Sequence, residues 1–556
     1  MSLPLSNLKN RPYALLGLGL VFLLAIFLCY SPAVYGFFVS DDWHWLGLAQ
    51  ERPWSAEIFT TNYEGLTGAG SYNPLLFILF KIFYSLLGLN HIGFHLVSLL
   101  LHFINGILVY FLAQKIFYFL AGDYKRPASF LAAAWFLFWP TQVEAIAWLS
   151  AWPHLWATTF YLWSLLSYFH FKENRGDKYL CWSILCFLLA LLIKETALSL
   201  PLVILFLELY QYIQNRKYEK RPGVYGFYLQ SLGIITLLFL AVRFGVTGTL
   251  FGYYGQEQLG WSIRLWLANL AGYLNDLVSF SHLREIFFRI WYKDLTLVAV
   301  LVASALLVYI LFLILRRKFQ ELVLFFLFSL ALLPFLPLGL NRLTFEGERY
   351  LYLPSIFFLI YLANLLFTYL KNIKVIKLIA SILLLVSFFI VYSKAQLWQK
   401  AGQIAQNIVE SGADLSLKDD QTLVSLALPD NFQGAQVFRN NLKQALDFHY
   451  PDKDIKIIPL PVYVRLTEDN YNKPLLIWRR DERGWFGESA DGEYVVTGIT
   501  SIEREGFYWE LWNYNYQNYT ANTIRLMPQT EELKDKLESG EIKILTFDQG
   551  ILKILE

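Results

Sequence analysis

A polytopic α-helical membrane protein with about 11 membrane helices and a C-terminal soluble α/β or α+β domain is the fold class this sequence predicts. Three observations lead there. Apolar runs of about 20 residues, the length a bilayer core requires, recur through the first 395 of 556 positions. Hydrophobic residues form 56% of the chain against 16% charged, with a mean hydropathy of +0.42, and a soluble protein carries more charge. From 396 onward the chain turns polar, and short β-rich runs replace the apolar ones. Two domains follow, a transmembrane one over 1–395 and a soluble one over 396–556.

The helices are expected near 12–38, 92–119, 127–140, 153–171, 179–193, 197–214, 224–246, 295–315, 319–338, 350–370 and 376–394. A shorter apolar segment, 74–89, reads as re-entrant or interfacial, and the same doubt applies to 261–280. The first run reads as a retained span, because acids and large aromatics follow it where a cleavage site needs small residues.

Basic residues set the orientation. Lys9 and Arg11 precede the first helix, and Lys125–Arg126, Lys172–Arg175–Lys178, Arg216–Lys217–Lys220–Arg221, Arg316–Arg317–Lys318 and Lys371–Lys374–Lys377 occupy alternate loops. The positive-inside rule makes these loops and the N-terminus cytoplasmic. The tail after 395 is then extracytoplasmic, as are the loops near 41, 144, 194 and 341–349. A net charge of +2 offers nothing to nucleic acid. The three cysteines, Cys29, Cys181 and Cys186, all lie in apolar runs and form no disulfide framework, which suits a bacterial plasma (inner) membrane protein.

In the tail, "KIIPLPVYVRL", "PLLIWRR" and "EYVVTGITSIE" read as strands, and 434–449 and 530–539 as helical patches. The run "GFYWELWNYNYQNY" alternates like one face of a sheet, a β-core or a stacking surface for a sugar. Asn518-Tyr519-Thr520 matches a glycosylation sequon. There is no tetratricopeptide pattern.

The polar residues of chemical interest all fall on the outer face. The stretch "SDDWHWL" puts Asp41 and Asp42 beside Trp43 and Trp45 at a helix exit. Glu144, Lys194, Glu195, Glu348 and Arg349 leave other helix ends on the same side, where a bundle could converge them. Each has a structural reading too. Ser40, Asp41 or Asp42 can cap a helix starting at Trp43, Glu144 can be solvated in its turn, Lys194 and Glu195 can pair, and Glu348–Arg349 can be a surface ion pair. The surrounding aromatics read as an interfacial belt, or as pocket walls beside a carboxylate tuned as a general base. His91 and His95 have the i, i+4 spacing of metal ligands, and equally of packed histidines.

The ordered set formed by the acid pair, "FLFWPTQVEAIAWLSAWPHLWATTFYLWSLLSYF", "LLIKETALSLPLVILFLELY" and "GERYLYLPSIFFLIYLANLL" resembles the membrane half of the GT-C glycosyltransferases. It is most similar to the transmembrane-and-tetratricopeptide-repeat protein O-mannosyltransferases and their bacterial relatives without the repeats. The likeness covers roughly 1–400, and the start of the tail, "LALPDNFQGAQVFRNNLKQAL", also looks like a segment of the bacterial relatives. It implies a polyprenyl-phosphate-sugar donor, a protein, lipid or glycan acceptor, and inverting transfer at the outer face of the bilayer. By resemblance Asp41 is the general base and Asp42 orients it. Lys194, then Arg349 and Arg243, are the candidate cations for the phosphate, and Glu144, Glu195 and Glu348 shape the sugar or acceptor site. Relatives often carry Gly-Arg-x-Asp after the second outer turn. Here Trp152, itself a candidate pocket aromatic, stands at the Arg position and His154 at the Asp position. The phosphate contact then falls to His154, Lys194 or Arg349, or the donor differs or activity is lost; His154 beside Pro153 also reads as a helix cap. No cofactor is implied with certainty, and a divalent cation is left open without a placed ligand set. The competing classes are a lipid or polymer transporter and a non-catalytic scaffold. The first calls for inverted repeats and charges at the bilayer midplane, and the sequence has neither.

Overall fold

The computed structural model describes residues 12–63, 72–173, 176–214, 222–250, 262–281, 283–284, 294–341, 344–460, 462–489, 494–496, 501–512 and 520–555. Lys9, Arg11, Arg175, Arg216, Lys217, Lys220, Arg221, and Asn518 and Tyr519 of the sequon lie outside the described residues. The chain divides into two compact units. One contains 1–34, 53–88 and 93–395, and the other 35–52, 89–92 and 396–556.

In the first unit a helix stands at each of the eleven predicted places. Among the described residues, six helices are long and apolar enough to cross a membrane, or seven if the bent pair Arg126–Phe138 and Pro140–Ala147 is one span. The chain is therefore an integral membrane protein by the length and composition of its helices. Pro74–Leu87, at 14 residues, is too short to cross and ends at Gly88. Ile373–Ala413 runs well past the predicted end at 394.

The breaks between helices deliver the polar residues. Pro140 has no N–H to donate and restricts the residue before it, so Trp139 turns extended and the next helix leaves at 49°. The short helix Val143–Ala147 carrying Glu144 follows this break. Pro153 sits in the first turn of Trp152–Lys172, where a proline is tolerated. Lys194 is extended between Lys178–Ile193 and the 3-10 turn Glu195–Leu198. Gly347, at φ 102°, uses a conformation costly to other residues to start the 3-10 turn Glu348–Leu351.

Among the described residues the second unit holds three sheets. One is mixed, in the order Ile551–Leu555, Ile542–Asp548, Thr422–Leu426, Lys456–Pro459, with its last three strands parallel. A second is antiparallel, in the order Leu476–Asp481, Gly484–Ser489, Thr523–Pro528, Phe507–Trp512, Ser501–Arg504. The third, also mixed, runs Thr520–Ala521, Tyr494–Val496, Val462–Leu466, Leu428–Phe432, Ala435–Gln436. In the strand Phe507–Trp512 the alternate residues Phe507, Trp509 and Leu511 are buried, so they serve the core.

The helical patch at 530–539 is Glu531–Glu538, but the one at 434–449 is mostly not helix. Only Leu442–Asp447 is helical, because the preceding residues are drawn into sheet and turn. Val437 and Phe438 donate their N–H groups to Asp430 and Pro429, and Gly434 and Asn441 take positive φ.

Within this unit a Cβ at Gly402 would meet the Gly36 backbone at 3.1 Å, whereas one at Gly233, in the first unit, would meet nothing within 4 Å. Backbone cannot rotate away as a side chain can. Gly402→Leu is therefore expected to destabilise by about 1–3 kcal/mol or more, and Gly233→Leu to leave the thermal midpoint in detergent unchanged. Equal midpoints for the two variants would contradict this packing.

Candidate functional site

Glu144 is fully buried, so it is not the solvated turn carboxylate its loop position allows. It compensates the loss of water with three donors, all from one segment. The Arg349 N–H reaches Oε2 at 2.6 Å, the Gly347 N–H reaches Oε1 at 3.4 Å, and the Arg349 guanidinium pairs with Oε1. That guanidinium is flanked by two rings, Trp148 and Tyr350, each with its centroid 4.8 Å away. His154 is buried with its ring 5.7 Å from Tyr350 and 5.9 Å from Phe335, and it lies within electrostatic reach of Lys194 and Arg349. Glu144, Arg349, His154 and Lys194 are thus buried polar residues delivered by four helix breaks, with Glu144 paired to Arg349, and His154 is a packed interior residue, not an exposed cap.

Glu348 faces another cluster. It takes the Lys394 ammonium on both oxygens at 2.9 Å, Arg284 at 2.8 Å and the Ser281 hydroxyl at 2.6 Å. Arg284 also pairs with Asp276. Burial alone lowers Arg284, but the Asp276 and Glu348 carboxylates hold its guanidinium above the ordinary arginine range. Glu348 and Arg349 are thus not a surface ion pair: both are buried and each pairs elsewhere. The sequence reading missed Asp276, Arg284 and Lys394. Their signal was faint, isolated charges at the ends of apolar runs.

Glu195 pairs with Arg243, whose Nε lies 2.7 Å from Oε1, and accepts the Tyr72 N–H at 3.2 Å. The expected Lys194–Glu195 pair is replaced by this one, and Arg243 is committed to a carboxylate. Trp152 is fully buried, stacked on Phe80 at 4.8 Å, with its indole N–H 2.7 Å from Ser98 Oγ. Packing accounts for this residue, so it is not an open pocket wall.

Asp41 and Asp42 belong to the second unit and do different things. The helix begins at Asp42, and Asp41 makes no side-chain cap bond to it. Asp42 is buried and accepts the Val39 N–H at 3.0 Å. Asp41 is half-buried, and its Oδ1 accepts from Asn441 at 3.0 Å and from Asn440 at 3.3 Å. Trp43 is buried against Phe37, Phe38 and Phe448, and the Trp45 ring lies 5.3 Å from that of His44. His91 Nδ1 lies 2.8 Å from the Gly36 carbonyl. Among the described residues no three His, Cys, Asp or Glu side chains stand together as a metal set.

Comparison with known proteins finds the likeness read from the motifs. The chain is similar to the protein O-mannosyl-transferase TMTC1 of Homo sapiens, 28% identical over 218 residues, covering 35% of this chain and 24% of that protein. TMTC1 of Drosophila melanogaster is 33% identical over 130 residues, covering 23% of this chain and 14% of that protein, and human TMTC2 is 30% identical over 189 residues, covering 32% and 22%. The chain thus spans a quarter or less of the length of these curated relatives. Among solved structures, the Archaeoglobus fulgidus oligosaccharyltransferase aligns with a TM-score of 0.43 at 13% identity, over 79% of this chain and 63% of that one. ArnT from Cupriavidus metallidurans aligns with a TM-score of 0.41 at 13% identity, over 80% of this chain and 86% of that one. No protein-family profile matches the chain.

Glu144→Gln removes the nearest counter-charge of the buried Arg349 cation and leaves Glu346, at 4.0 Å. The variant is expected to lose about 3–5 kcal/mol, with much of the loss recovered in Glu144→Gln/Arg349→Met. Thermal unfolding of the purified protein checks both, and additive losses would show that the pair is not coupled.

Proposed function

We propose that the protein transfers a sugar from a polyprenyl-phosphate donor to an acceptor hydroxyl at the outer face of a bacterial plasma membrane, with inversion. The observation that carries this reading is the buried set of Glu144, Arg349, His154 and Lys194 at helix breaks, on the motifs that resemble the GT-C enzymes. The similarity to protein O-mannosyl-transferases supports a protein hydroxyl as acceptor and makes polyprenyl-phosphate mannose the first donor to try.

In the proposed step the Asp41 carboxylate takes the proton of the acceptor hydroxyl. The acceptor oxygen forms a bond to the anomeric carbon as the bond from that carbon to the phosphate oxygen breaks. The electron pair leaves with the polyprenyl phosphate, and the carbon inverts. The cation assigned to the leaving phosphate is Lys194, which is buried at its helix break within electrostatic reach of His154. Arg349, held between two rings and a carboxylate, shapes the site, and so does Glu144. Asp42 fixes the backbone from which Asp41 projects.

Mass spectrometry of surface glycans in a deletion strain should show a missing product that the wild-type chain restores. Asp41→Asn and Lys194→Gln should each restore it about 100-fold less well at equal expression. Full restoration by Asp41→Asn would remove the base role. Labelled lipid crossing vesicles without covalent transfer would support a transporter, and unchanged glycans in the deletion strain a scaffold. For orientation, Ser539 is exposed in the C-terminal unit, and Ser539→Cys in intact spheroplasts should react with a membrane-impermeant maleimide. Labelling only after permeabilisation would reverse the topology.

A further inference from the structure

The acid-pair segment is folded as part of the C-terminal unit, some four hundred positions away in sequence. The Ser40 N–H donates to the Val437 carbonyl at 2.9 Å. The Trp43 ring centroid lies 5.6 Å from that of Phe448. A Cβ added at Gly47 would touch Gln444 at 3.4 Å, so the helices Asp42–Glu51 and Leu442–Asp447 pack closely. Ser40 holds φ at 43°, a left-handed conformation unusual for serine, and the turn it makes points Asp41 at the loop before the second helix.

That loop is Arg439-Asn440-Asn441. The Asn441 Nδ2 lies 3.0 Å and the Asn440 Nδ2 3.3 Å from Asp41 Oδ1. Asn441 sits at φ 68°, where asparagine is among the tolerated residues, and this places its amide beside the carboxylate while the next residue starts a helix. The loop is braced from behind. Arg439 pairs with buried Asp430, Asp430 Oδ2 accepts from Asn431 at 2.7 Å, and Asn431 Oδ1 accepts the Gly434 N–H at 2.9 Å. Both amide bonds to Asp41 fall on Oδ1, and among the described residues no side-chain hydrogen bond falls on Oδ2.

We propose that the Asn440–Asn441 turn is a positioning element for Asp41. The two amides grip one carboxylate oxygen and fix the plane of the group, so that the other oxygen is the one presented to an acceptor hydroxyl. This rests on Asp41 being the base. It gives the C-terminal unit a part in the reaction as the holder of the base. Neither asparagine touches a reacting atom in this scheme, so their effect is on rate and not on donor binding.

The test compares three variants in membranes of the deletion strain, with labelled polyprenyl-phosphate mannose as donor and those membranes as acceptor. Asn441→Asp is isosteric and tolerates the left-handed backbone, but it turns an oxygen toward Asp41. Asn441→Gly keeps the backbone free and removes the donor. Asn440→Asp, on the solvent side, is the milder change if Asn441→Asp does not fold. Asn441→Asp should lower kcat about 10- to 100-fold with the donor KM held, with smaller losses for the other two and wild-type thermal midpoints throughout. Wild-type kcat in both aspartate variants, or a loss that appears only as a raised KM or a fallen midpoint, overturns the positioning role and leaves the base reading standing. A fully active Asp41→Asn, or a wild-type chain that transfers nothing, overturns the base reading and this proposal with it.

Discussion

A buried carboxylate has to be matched, and Glu144 is matched by one short segment. Two backbone N–H groups and a guanidinium from Gly347 and Arg349 converge on it. Coulomb attraction alone would not make such burial favourable, because desolvating both charges costs several kcal/mol. The backbone donors make the difference. They tie the turn at 347–349 to the short helix at 143–147, so two helix breaks far apart in sequence are set in one geometry. The guanidinium is then placed against Trp148 and Tyr350, and His154 against Tyr350 and Phe335. The same turn sends Glu348 the other way, into Arg284 and Lys394. One glycine, two charged residues and a tyrosine therefore hold two clusters in register.

The helices were legible because lipid and core ask the same thing of them. Long apolar runs can satisfy their backbone only as helices, and those at 295–315 and 350–370 begin and end within a few residues of their predicted bounds. The patch at 434–449 was not legible in the same way. Its helical pattern competes with strand pairing to Pro429 and Asp430 and with the turns at Gly434 and Asn441, and tertiary contacts outweigh local propensity over so short a run. Strands were recognisable one at a time, but not the order of three sheets in which Thr422–Leu426 pairs with Ile542–Asp548.

Charge partners were the least legible part. The sequence places Glu195 next to Lys194 and Glu348 next to Arg349, and neighbours in sequence invite pairing. Each carboxylate instead takes a partner from another helix or loop, Arg243 for Glu195 and Arg284 with Lys394 for Glu348. Adjacent side chains in a turn diverge, so the partner is decided by which elements pack, which no local pattern encodes. The aromatic residues show the same limit. Trp152 and Trp148 are only four positions apart, yet one is a stacked packing residue and the other faces a guanidinium.

The acid pair illustrates how adjacent identical residues acquire different work. Asp42, fully buried, spends its carboxylate on the Val39 N–H and so stabilises the turn into its own helix. Asp41 is relieved of that duty. A carboxylate engaged in capping is held against its own backbone and oriented by it. Because Asp42 fixes the turn, Asp41 can be half-exposed and oriented by side-chain amides instead. The two acids thus have separate parts in the proposed chemistry, one to hold the turn and one to act from it. The second role depends on a loop that the sequence places about 400 residues away.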